Sequence, residues 1–202
     1  MGLSFVSVQT DVGLVVAAVT PEGVVATSFE DTPEFRERVR ERMRPFLDDL
    51  APDSGDEALG DAGGASDAHD RGESSGDRLG RSEAAVRDDV GSQLAAYFAG
   101  ELKEFTMPID WRLMSKTQRR VLGLLFESVP YGQAVTYGDL ANETGIPARA
   151  IGSIMGSNPI PIIVPCHRVV AGGGLGGFSG GTGVESKRWL LTMEGHLPPT
   201  LF

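Results

Sequence analysis

Three short apolar runs open the chain and are separated by turn residues. The runs are rich in Val and cover residues 3–9, 13–19 and 24–29, a pattern typical of strands joined by tight turns. A helix is predicted next, because Thr32 suits an N-cap and Pro33 suits the first helical position. Apolar residues then recur at helical spacing on one face: Phe35, Val39, Met43, Phe46 and Leu50.

This periodicity is lost over residues 51–81. The segment is dominated by Gly, Asp, Ser and Ala, and Leu59 and Leu79 are its only large apolar residues. Such a composition cannot bury enough apolar surface to order itself. We therefore expect a disordered acidic insertion at 51–81, within an N-terminal α/β domain that covers residues 1–100. A helix resumes near Ser82, and its core-facing residues are predicted to be Val86, Val90, Leu94 and Phe98.

The second half of the chain is predicted to be mainly helical. Residues 101–112 read as an extended linker marked by Pro108, and a second domain covers residues 113–202. Helices are predicted over 117–127, 137–143, 148–157 and 185–194, and a short apolar strand over 160–164. The helices at 137–143 and 148–157 are joined by a tight turn that contains glycine, which predicts a helix-turn-helix.

The second of these two short helices consists mostly of small residues. Two glycines within it, Gly152 and Gly156, cost about 1 kcal/mol each relative to Ala. Close packing against another helix is one explanation, and a smooth face that approaches a large regular surface is the other. Arg149 projects from this helix. Together with the helix-turn-helix setting, it favours nucleic acid, and a minor groove suits so shallow a face.

Charge is distributed unevenly along the 202 residues, which are enough for one large or two small domains. The net charge is -10; the first 100 residues hold 9 basic and 20 acidic residues, and the remainder holds 9 and 8. This acidity argues against DNA binding driven mainly by phosphate contacts in ordinary salt. Because the 18 basic residues include only three Lys, we hypothesise a high-salt cytoplasm.

A single cysteine rules out an internal disulfide and a Cys-rich zinc site. No stretch approaches the roughly 20 apolar residues that span a bilayer. The first ten residues lack the basic start of a signal peptide. We therefore expect a cytoplasmic protein.

The single cysteine, Cys166, lies in the sequence Val-Pro-Cys-His-Arg-Val-Val at 164–170. The thiolate is the reactive form of cysteine, and a neighbouring imidazole or positive charge raises its population. A buried structural cysteine is the simpler interpretation. A glycine-rich segment follows at 171–181. It lets backbone amides approach a ligand closely, but it lacks the Lys-Ser/Thr of a phosphate-binding loop.

These motifs together resemble the O6-alkylguanine-DNA alkyltransferases, also called methylated-DNA–protein-cysteine methyltransferases. The resemblance rests on Asn158-Pro, on 164–170, on Gly-Phe-Ser-Gly-Gly at 177–181 and on Trp-Leu-Leu-Thr-Met-Glu-Gly at 189–195. It covers about residues 112–196; over 1–100 only the order of strands and helices agrees. It implies an α+β fold, with a ribonuclease-H-like small antiparallel sheet and helices followed by a winged helix-turn-helix-like domain.

The resemblance also implies a mechanism and the residues that perform it. Cys166 is the expected acceptor of a methyl or other alkyl group from O6 of guanine in double-stranded DNA. His167 takes the thiol proton through an ordered water, and Glu194 orients His167. Asn158 holds the turn before the active site, and Tyr137 donates a hydrogen bond to guanine N3. The protein is consumed by one transfer, acts as a monomer and needs no cofactor.

Base and DNA contacts follow from the same resemblance. The damaged base leaves the stack, and Arg149 fills the space that it vacates. The Ser179 amide holds O6, while the carbonyls of Cys166 and Val169 accept from the guanine amino group. The remaining DNA-binding and base-binding residues are expected to be Ala148, Gly152, Ser153, Met155 and Phe178.

The chain departs from the family pattern in four places. Phe178 replaces a frequent Tyr, Gly123 replaces a frequent Trp, and the insertion at 51–81 is foreign to the pattern. The N-terminal zinc ligands of some members are absent, so no metal site is predicted.

Three other functions compete with alkyl transfer. Some relatives lack the nucleophile and only flag lesions, which Cys166 argues against. A winged-helix regulator with a redox-sensing thiol would usually carry a resolving cysteine. A cysteine hydrolase would need an oxyanion hole and repeated turnover. The sequence leaves open whether O4-methylthymine is also a substrate.

Overall fold

The computed structural model describes residues 2–47 and 82–199. Leu50 and the predicted insertion at 51–81 lie outside the described residues. The protein is a mixed α/β structure in which a small antiparallel sheet packs with helices.

The sheet has the order β1-β2-β3, with β1 at Ser4–Thr10, β2 at Gly13–Thr20 and β3 at Gly23–Ser28. Both pairs are antiparallel, and the register of β2 against β3 shifts between Ala18 and Val19. The three apolar runs therefore form strands as predicted, within one or two residues at each end.

Helices cover both faces of this sheet. Helix α1 spans Pro33–Leu47 and helix α2 spans Glu83–Phe98. Alternate residues of β2 point to opposite faces, so Val15, Ala17 and Val19 join one apolar cluster with α2, and Val16 and Ala18 join a second cluster with α1. Because both faces are buried, β2 is a continuous apolar run and not an alternating one.

One core residue of α2 differs from the prediction. Tyr97 is 1% exposed, whereas Phe98 is only partly buried. Both positions fit helical spacing after Leu94, at i+3 and i+4. The hydroxyl of Tyr97 has a buried partner, described below, which explains why the more polar ring lies inside.

Between residues 101 and 199, the structure describes four helices, two short 3-10 helices and a parallel strand pair. The 3-10 helices are Trp111–Leu113 and Cys166–Arg168. The strands are β4 at Val135–Thr136 and β5 at Val169–Val170. The helices, close to their predicted bounds, are α3 at Lys116–Ser128, α4 at Tyr137–Thr144, α5 at Ala148–Gly156 and α6 at Val184–Met193.

The strand predicted over 160–164 is wrong. The segment is a tight turn closed by an isolated bridge between Pro161 and Val164. The four apolar residues at 160, 162, 163 and 164 are all buried, which gave the run its strand-like pattern. Ile162 has a φ of 79°, a conformation that a β-branched residue rarely adopts.

The edge of β3 joins the two halves of the chain. Val24 exchanges backbone hydrogen bonds with Pro108 and Asp110, in the segment predicted as a linker. Further along β3, the Thr27 amide donates to the Pro159 carbonyl at 2.8 Å, and its hydroxyl donates to the Pro161 carbonyl at 2.7 Å. The sheet therefore supports the turn that leads to Cys166.

Within the described ranges, no helix is long and apolar enough to cross a membrane. The same residues contain no group of three or more His, Cys, Asp or Glu side chains arranged to hold a metal ion.

Candidate active site

The β4–β5 pair brings two distant segments together. Val135 pairs with Val169 and Thr136 pairs with Val170 in parallel. Tyr137 follows β4 directly as the first residue of α4, where a Thr136–Asp139 capping box fixes the helix start. The 3-10 helix that begins at Cys166 comes directly before β5. Tyr137 and Cys166 therefore line one cavity although 29 positions separate them.

Cys166 is 5% exposed. Its amide donates to the Val164 carbonyl at 2.8 Å, which tightens the chain just before the 3-10 helix. Burial raises the pKa of the thiol, and it outweighs the hydrogen bond from Asn158 and the charge of Lys187, which both lower that pKa. Cys166 therefore rests as a thiol at neutral pH, and a base must take its proton during reaction.

His167 is fully buried, and its Nε2 lies 2.9 Å from Oε1 of Glu194. Burial lowers the pKa of His167, although the Glu194 carboxylate opposes this, so the ring is neutral at pH 7. Because a carboxylate only accepts hydrogen bonds, Nε2 carries the ring proton. Nδ1 is then the basic nitrogen, and it has no hydrogen-bond partner among the described residues.

Two further residues that the sequence did not single out bind the Glu194 carboxylate. Arg168 donates from Nε to Oε2 at 3.0 Å and from Nη2 to Oε1 at 2.9 Å. The Tyr97 hydroxyl donates to Oε1 at 2.6 Å. Burial alone would raise the pKa of Glu194, but the hydrogen bonds from His167 and Arg168, together with the charge of Arg168, lower it to about 2. Glu194 is thus ionised and held from three sides.

Asn158 fixes the turn before the nucleophile. Its Nδ2 donates to the Val164 carbonyl at 2.9 Å, and its Oδ1 accepts from the Ile160 amide at 3.0 Å. These bonds span the residue with positive φ, Ile162. Backbone strain of this kind costs about 1–3 kcal/mol and persists only where the surroundings over-determine it. The predicted role of Asn158 in holding this turn is in keeping with these contacts.

A cavity of about 400 Å³, here called the base cavity, opens onto Cys166. Six of the predicted site residues line it together with Gly156 and Gly177: Tyr137, Gly152, Met155, Cys166, Phe178 and Ser179. The Tyr137 hydroxyl has its pKa raised by burial, so it is a hydrogen-bond donor at neutral pH. The cavity is therefore lined by the Cys166 thiol, the Tyr137 hydroxyl as a hydrogen-bond donor, and the apolar ring of Phe178.

At Gly180, the glycine-rich segment packs closely against two aromatic rings beside this cavity. A Cβ on Gly180 would collide with the ring of Phe29 and lie 2.8 Å from that of Phe178. These two rings meet edge to face, with centroids 5.9 Å apart. The Ser179 hydroxyl donates to the Gly156 carbonyl at the end of α5, at 3.3 Å.

Lys187 is another residue that sequence reasoning missed. Its ammonium group is buried and donates to the carbonyls of Val169, at 2.6 Å, and Gly177, at 3.2 Å. Burial lowers the pKa of Lys187 to about 8. The lysine therefore ties β5 to the glycine-rich segment. The Val169 carbonyl, predicted to face the guanine amino group, accepts this hydrogen bond from Lys187.

Three of the predicted DNA-binding residues lie on the outer face of α5. Ala148, Arg149 and Ser153 are exposed, and they are not among the residues that line the base cavity. The opposite face of α5 buries Ile151, Ile154 and Met155. One helix thus presents small residues and Arg149 to solvent while it contributes Gly152 and Met155 to the cavity.

Residues 116–196 match a family model described as "6-O-methylguanine DNA methyltransferase, DNA binding domain". The crystal structure of Mycobacterium tuberculosis O6-methylguanine methyltransferase matches 98% of this chain and 97% of that chain, with a TM-score of 0.63 and 30% sequence identity. The chain belongs to the methylated-DNA–protein-cysteine methyltransferase family.

Other known proteins are also similar to this chain. The methylated-DNA–protein-cysteine methyltransferase of Mycolicibacterium paratuberculosis is 49% identical over 113 residues, which cover 54% of this chain and 66% of that protein. The M. tuberculosis protein in complex with DNA gives a TM-score of 0.62 at 28% identity, over 95% of this chain and 92% of that one. A "DNA base-flipping protein" of Thermus thermophilus is 41% identical over 117 residues, 57% of this chain and 78% of that protein.

The family resemblance expected from the motifs is therefore confirmed. The likeness to curated relatives is confined to about half of this chain, whereas the structural likeness extends over nearly all of it. The individual roles of the site residues stay predictions.

Proposed function

We propose that this methyltransferase repairs DNA by direct reversal and moves a methyl or larger alkyl group from O6 of guanine to Cys166. One observation carries the proposal. The thiol lies on the wall of the base cavity, and the next residue in the chain, His167, is buried and paired with Glu194. This is a nucleophile with a base and a group that orients the base.

The proton path starts from a neutral thiol. His167 offers Nδ1 as the acceptor, and a bridging water carries the proton from the thiol to it. The imidazolium that results is stabilised by the Glu194 carboxylate at 2.9 Å. Because the pKa of Glu194 is about 2, its carboxylate is ionised at any physiological pH and can stabilise this positive charge.

The bond changes are those of an in-line displacement. A sulfur lone pair forms the S–C bond, the C–O6 bond breaks, and its electron pair passes to O6 and the purine ring. A hydrogen bond from the Tyr137 hydroxyl at guanine N3 stabilises the charge that develops there. The thioether has no good route back to a thiol, so each protein molecule acts once.

We propose that α5 approaches DNA through the minor groove. Its outer face is shallow because Ala148 and Ser153 are small, so it can lie close to a duplex. The base cavity lies behind this face, and a base must leave the stack to enter it. Arg149 then occupies the vacated space. The net charge of -10 means that shape and apolar contact contribute more than phosphate attraction.

Several finer features belong to the same proposal. The N-terminal sheet and its helices form a ribonuclease-H-like domain within residues 1–100, the linker covers 101–112, and residues 113–202 form a winged helix-turn-helix-like domain. The protein acts as a monomer in the cytoplasm.

A non-catalytic protein that recognises alkylated bases is the second candidate. The 41% identity to a protein named for base flipping favours it. The presence of Cys166 beside His167 and Glu194 argues for catalysis.

The mass of the intact protein distinguishes the two candidates. The protein is incubated, in KCl, with a duplex that carries one O6-methylguanine, beside the unmodified duplex and the Cys166→Ala variant. Because Cys166 is the only cysteine, one added methyl group, capped at one per chain and absent from the variant, supports the transferase. Lesion-selective binding without any mass change would leave the recognition protein instead.

A further inference from the structure

A second cavity reaches Cys166 from the side of helix α1. It measures about 420 Å³ and lies between β3 and α1 on one side and the turn and glycine-rich segment on the other. We call it the α1 cleft. Five residues line both this cleft and the base cavity: Met155, Gly156, Cys166, Phe178 and Ser179. The two spaces therefore adjoin at the nucleophile.

The α1 cleft carries basic side chains that the proposed reaction does not use. Arg38 and Arg42 line it, and they share one face of α1 because four residues separate them. Arg42 is anchored by a hydrogen bond from Nη2 to the Leu113 carbonyl at 2.8 Å. Glu30 is the only acidic residue among those that line the cleft. The cleft is thus locally positive in a chain whose net charge is -10.

Neighbouring arginines of the same helix are engaged elsewhere. Arg36 is paired with Asp31 through two hydrogen bonds at 2.6 and 2.7 Å. Arg40 lies 3.5 Å from Glu37 and over the ring of Phe5 at 5.3 Å. Neither of these arginines lines the cleft. Arg36 and Arg40 therefore form local ion pairs, whereas Arg38 and Arg42 line the cleft.

In the proposed displacement, the carbon under attack lies between Sγ and O6. The guanine occupies the base cavity, so the rest of a larger alkyl group must extend away from it. The α1 cleft is the space that begins at Cys166 and leads out of the base cavity. Its inner walls are apolar, since Phe29 and Phe178 meet edge to face there and Pro161 lies beside them. Such walls suit a methylene chain or an aromatic ring.

We propose that Arg38 and Arg42, which line the α1 cleft, make the transfer selective for O6-alkyl groups that end in a carboxylate. This inference rests on the proposed function. The reaction itself is unchanged: the S–C bond forms, the C–O6 bond breaks, its electron pair stays with guanine, and the carboxylate passes intact to the S-alkylated cysteine.

A matched series of free bases tests the proposal. The series consists of O6-(4-carboxybenzyl)guanine, O6-(4-methylbenzyl)guanine and O6-(4-aminomethylbenzyl)guanine, which differ mainly in charge at one end. The rate constant for alkylation of Cys166 is measured from the intact mass. The salt is the lowest KCl concentration at which circular dichroism shows a folded chain. We expect the carboxylate to react about fivefold faster than the ammonium compound, because Arg38 and Arg42 are exposed and such ion pairs contribute at most about 1 kcal/mol.

Three variants test whether Arg38 and Arg42 cause the preference for the carboxylate. Arg38→Gln and the double variant Arg38→Gln/Arg42→Gln should bring the three rate constants towards one value, and they should leave the methylbenzyl compound unchanged. Arg40→Gln is the control on the same helix and should keep the preference. In ~1 M KCl the preference should shrink, because the screening length falls to about 3 Å.

Several results would overturn the inference. They are equal rates for all three bases in the unaltered protein, a preference that survives in the double variant, or one that Arg40→Gln also abolishes. A double variant that reacts more slowly with methylated duplex but normally with free bases would assign the arginines to DNA phosphates instead. Failure of the proposed function looks different, because the unaltered protein would then be alkylated by none of these substrates.

Discussion

The hydrogen bond between Tyr97 and Glu194 provides the sharpest test of the buried network. Tyr97→Phe removes one hydroxyl and keeps the ring, which also packs against Phe98 and Phe105 at centroid distances of 5.2 and 5.0 Å. The bond lost is 2.6 Å long, buried, and made to a carboxylate. Hydrogen bonds to charged groups contribute about 1.5–3 kcal/mol. We expect a loss of about 2 kcal/mol, or roughly 4–8 °C in Tm for a chain of this size.

The pH dependence of the stability loss distinguishes a lost hydrogen bond to Glu194 from a change in packing. The pKa of Glu194 is about 2 in the folded protein and 4.5 ordinarily. At about 1.4 kcal/mol per pKa unit, its ionised form contributes roughly 3 kcal/mol to stability. Because the folded pKa is lowered, this contribution is present above about pH 4.5 and is lost as the pH falls towards 2. Tyr97→Phe should raise the pKa of Glu194. As the pH falls, the variant therefore loses this contribution to stability at a higher pH than the unaltered protein does.

The assay is urea unfolding between about pH 3 and pH 8, followed by circular dichroism. The difference in unfolding free energy between the unaltered protein and Tyr97→Phe should be constant above about pH 5 and should narrow below about pH 4. Tyr131→Phe is the control, since its hydroxyl donates to the backbone carbonyl of Met193 at 3.1 Å. That variant should lose about 1 kcal/mol at every pH. A Tyr97→Phe deficit that does not change with pH would refute the reasoning and leave Tyr97 as a packing residue.

Two further predictions concern Lys187 and Arg149. Lys187→Met should slow transfer from O6-methylguanine duplex, because β5 and the glycine-rich segment lose the donor that joins them. The control is Arg188→Met, which changes the exposed neighbouring residue. Equal transfer rates for the two variants would mean that Lys187 contributes only to packing. Arg149→Ala should slow transfer from duplex DNA more than transfer from free O6-benzylguanine, and equal slowing of both would remove its role in base extrusion.

Local sequence signals were sufficient for most of the secondary structure. Strands β1 to β3 and helices α1 to α6 lie within a few residues of their predicted bounds, because apolar period, caps and turn residues agree there. The failure at 160–164 has a physical reason. Its buried apolar residues pack in a turn that Asn158 holds, and periodicity alone cannot distinguish such a turn from a short buried strand.

Site residues were predictable only where a motif names them. Cys166, His167 and Glu194 come from motifs, and the structure brings the last two within hydrogen-bonding distance. Lys187 was missed although a signal existed. It shares the spacing i, i+3, i+4 and i+7 with Leu190, Leu191 and Glu194, and these four residues are all buried. Two charged residues on a buried helical stripe indicate a polar network, since an unpaired buried charge is costly.

The N-terminal half contacts three different parts of the candidate site, although its sequence resembles the family least. Thr27 binds the carbonyls of the turn before Cys166, Phe29 packs on Phe178 at the cavity wall, and Tyr97 binds the carboxylate behind His167. Thr27 bonds through backbone amide and hydroxyl, and Phe29 packs through ring shape, so neither contact demands a long sequence pattern around it. A weak sequence resemblance over residues 1–100 is therefore compatible with a direct role of that half in shaping the site. The sheet order and the placement of α2 must persist for these contacts to form, and it is the order of strands and helices that agrees with the family.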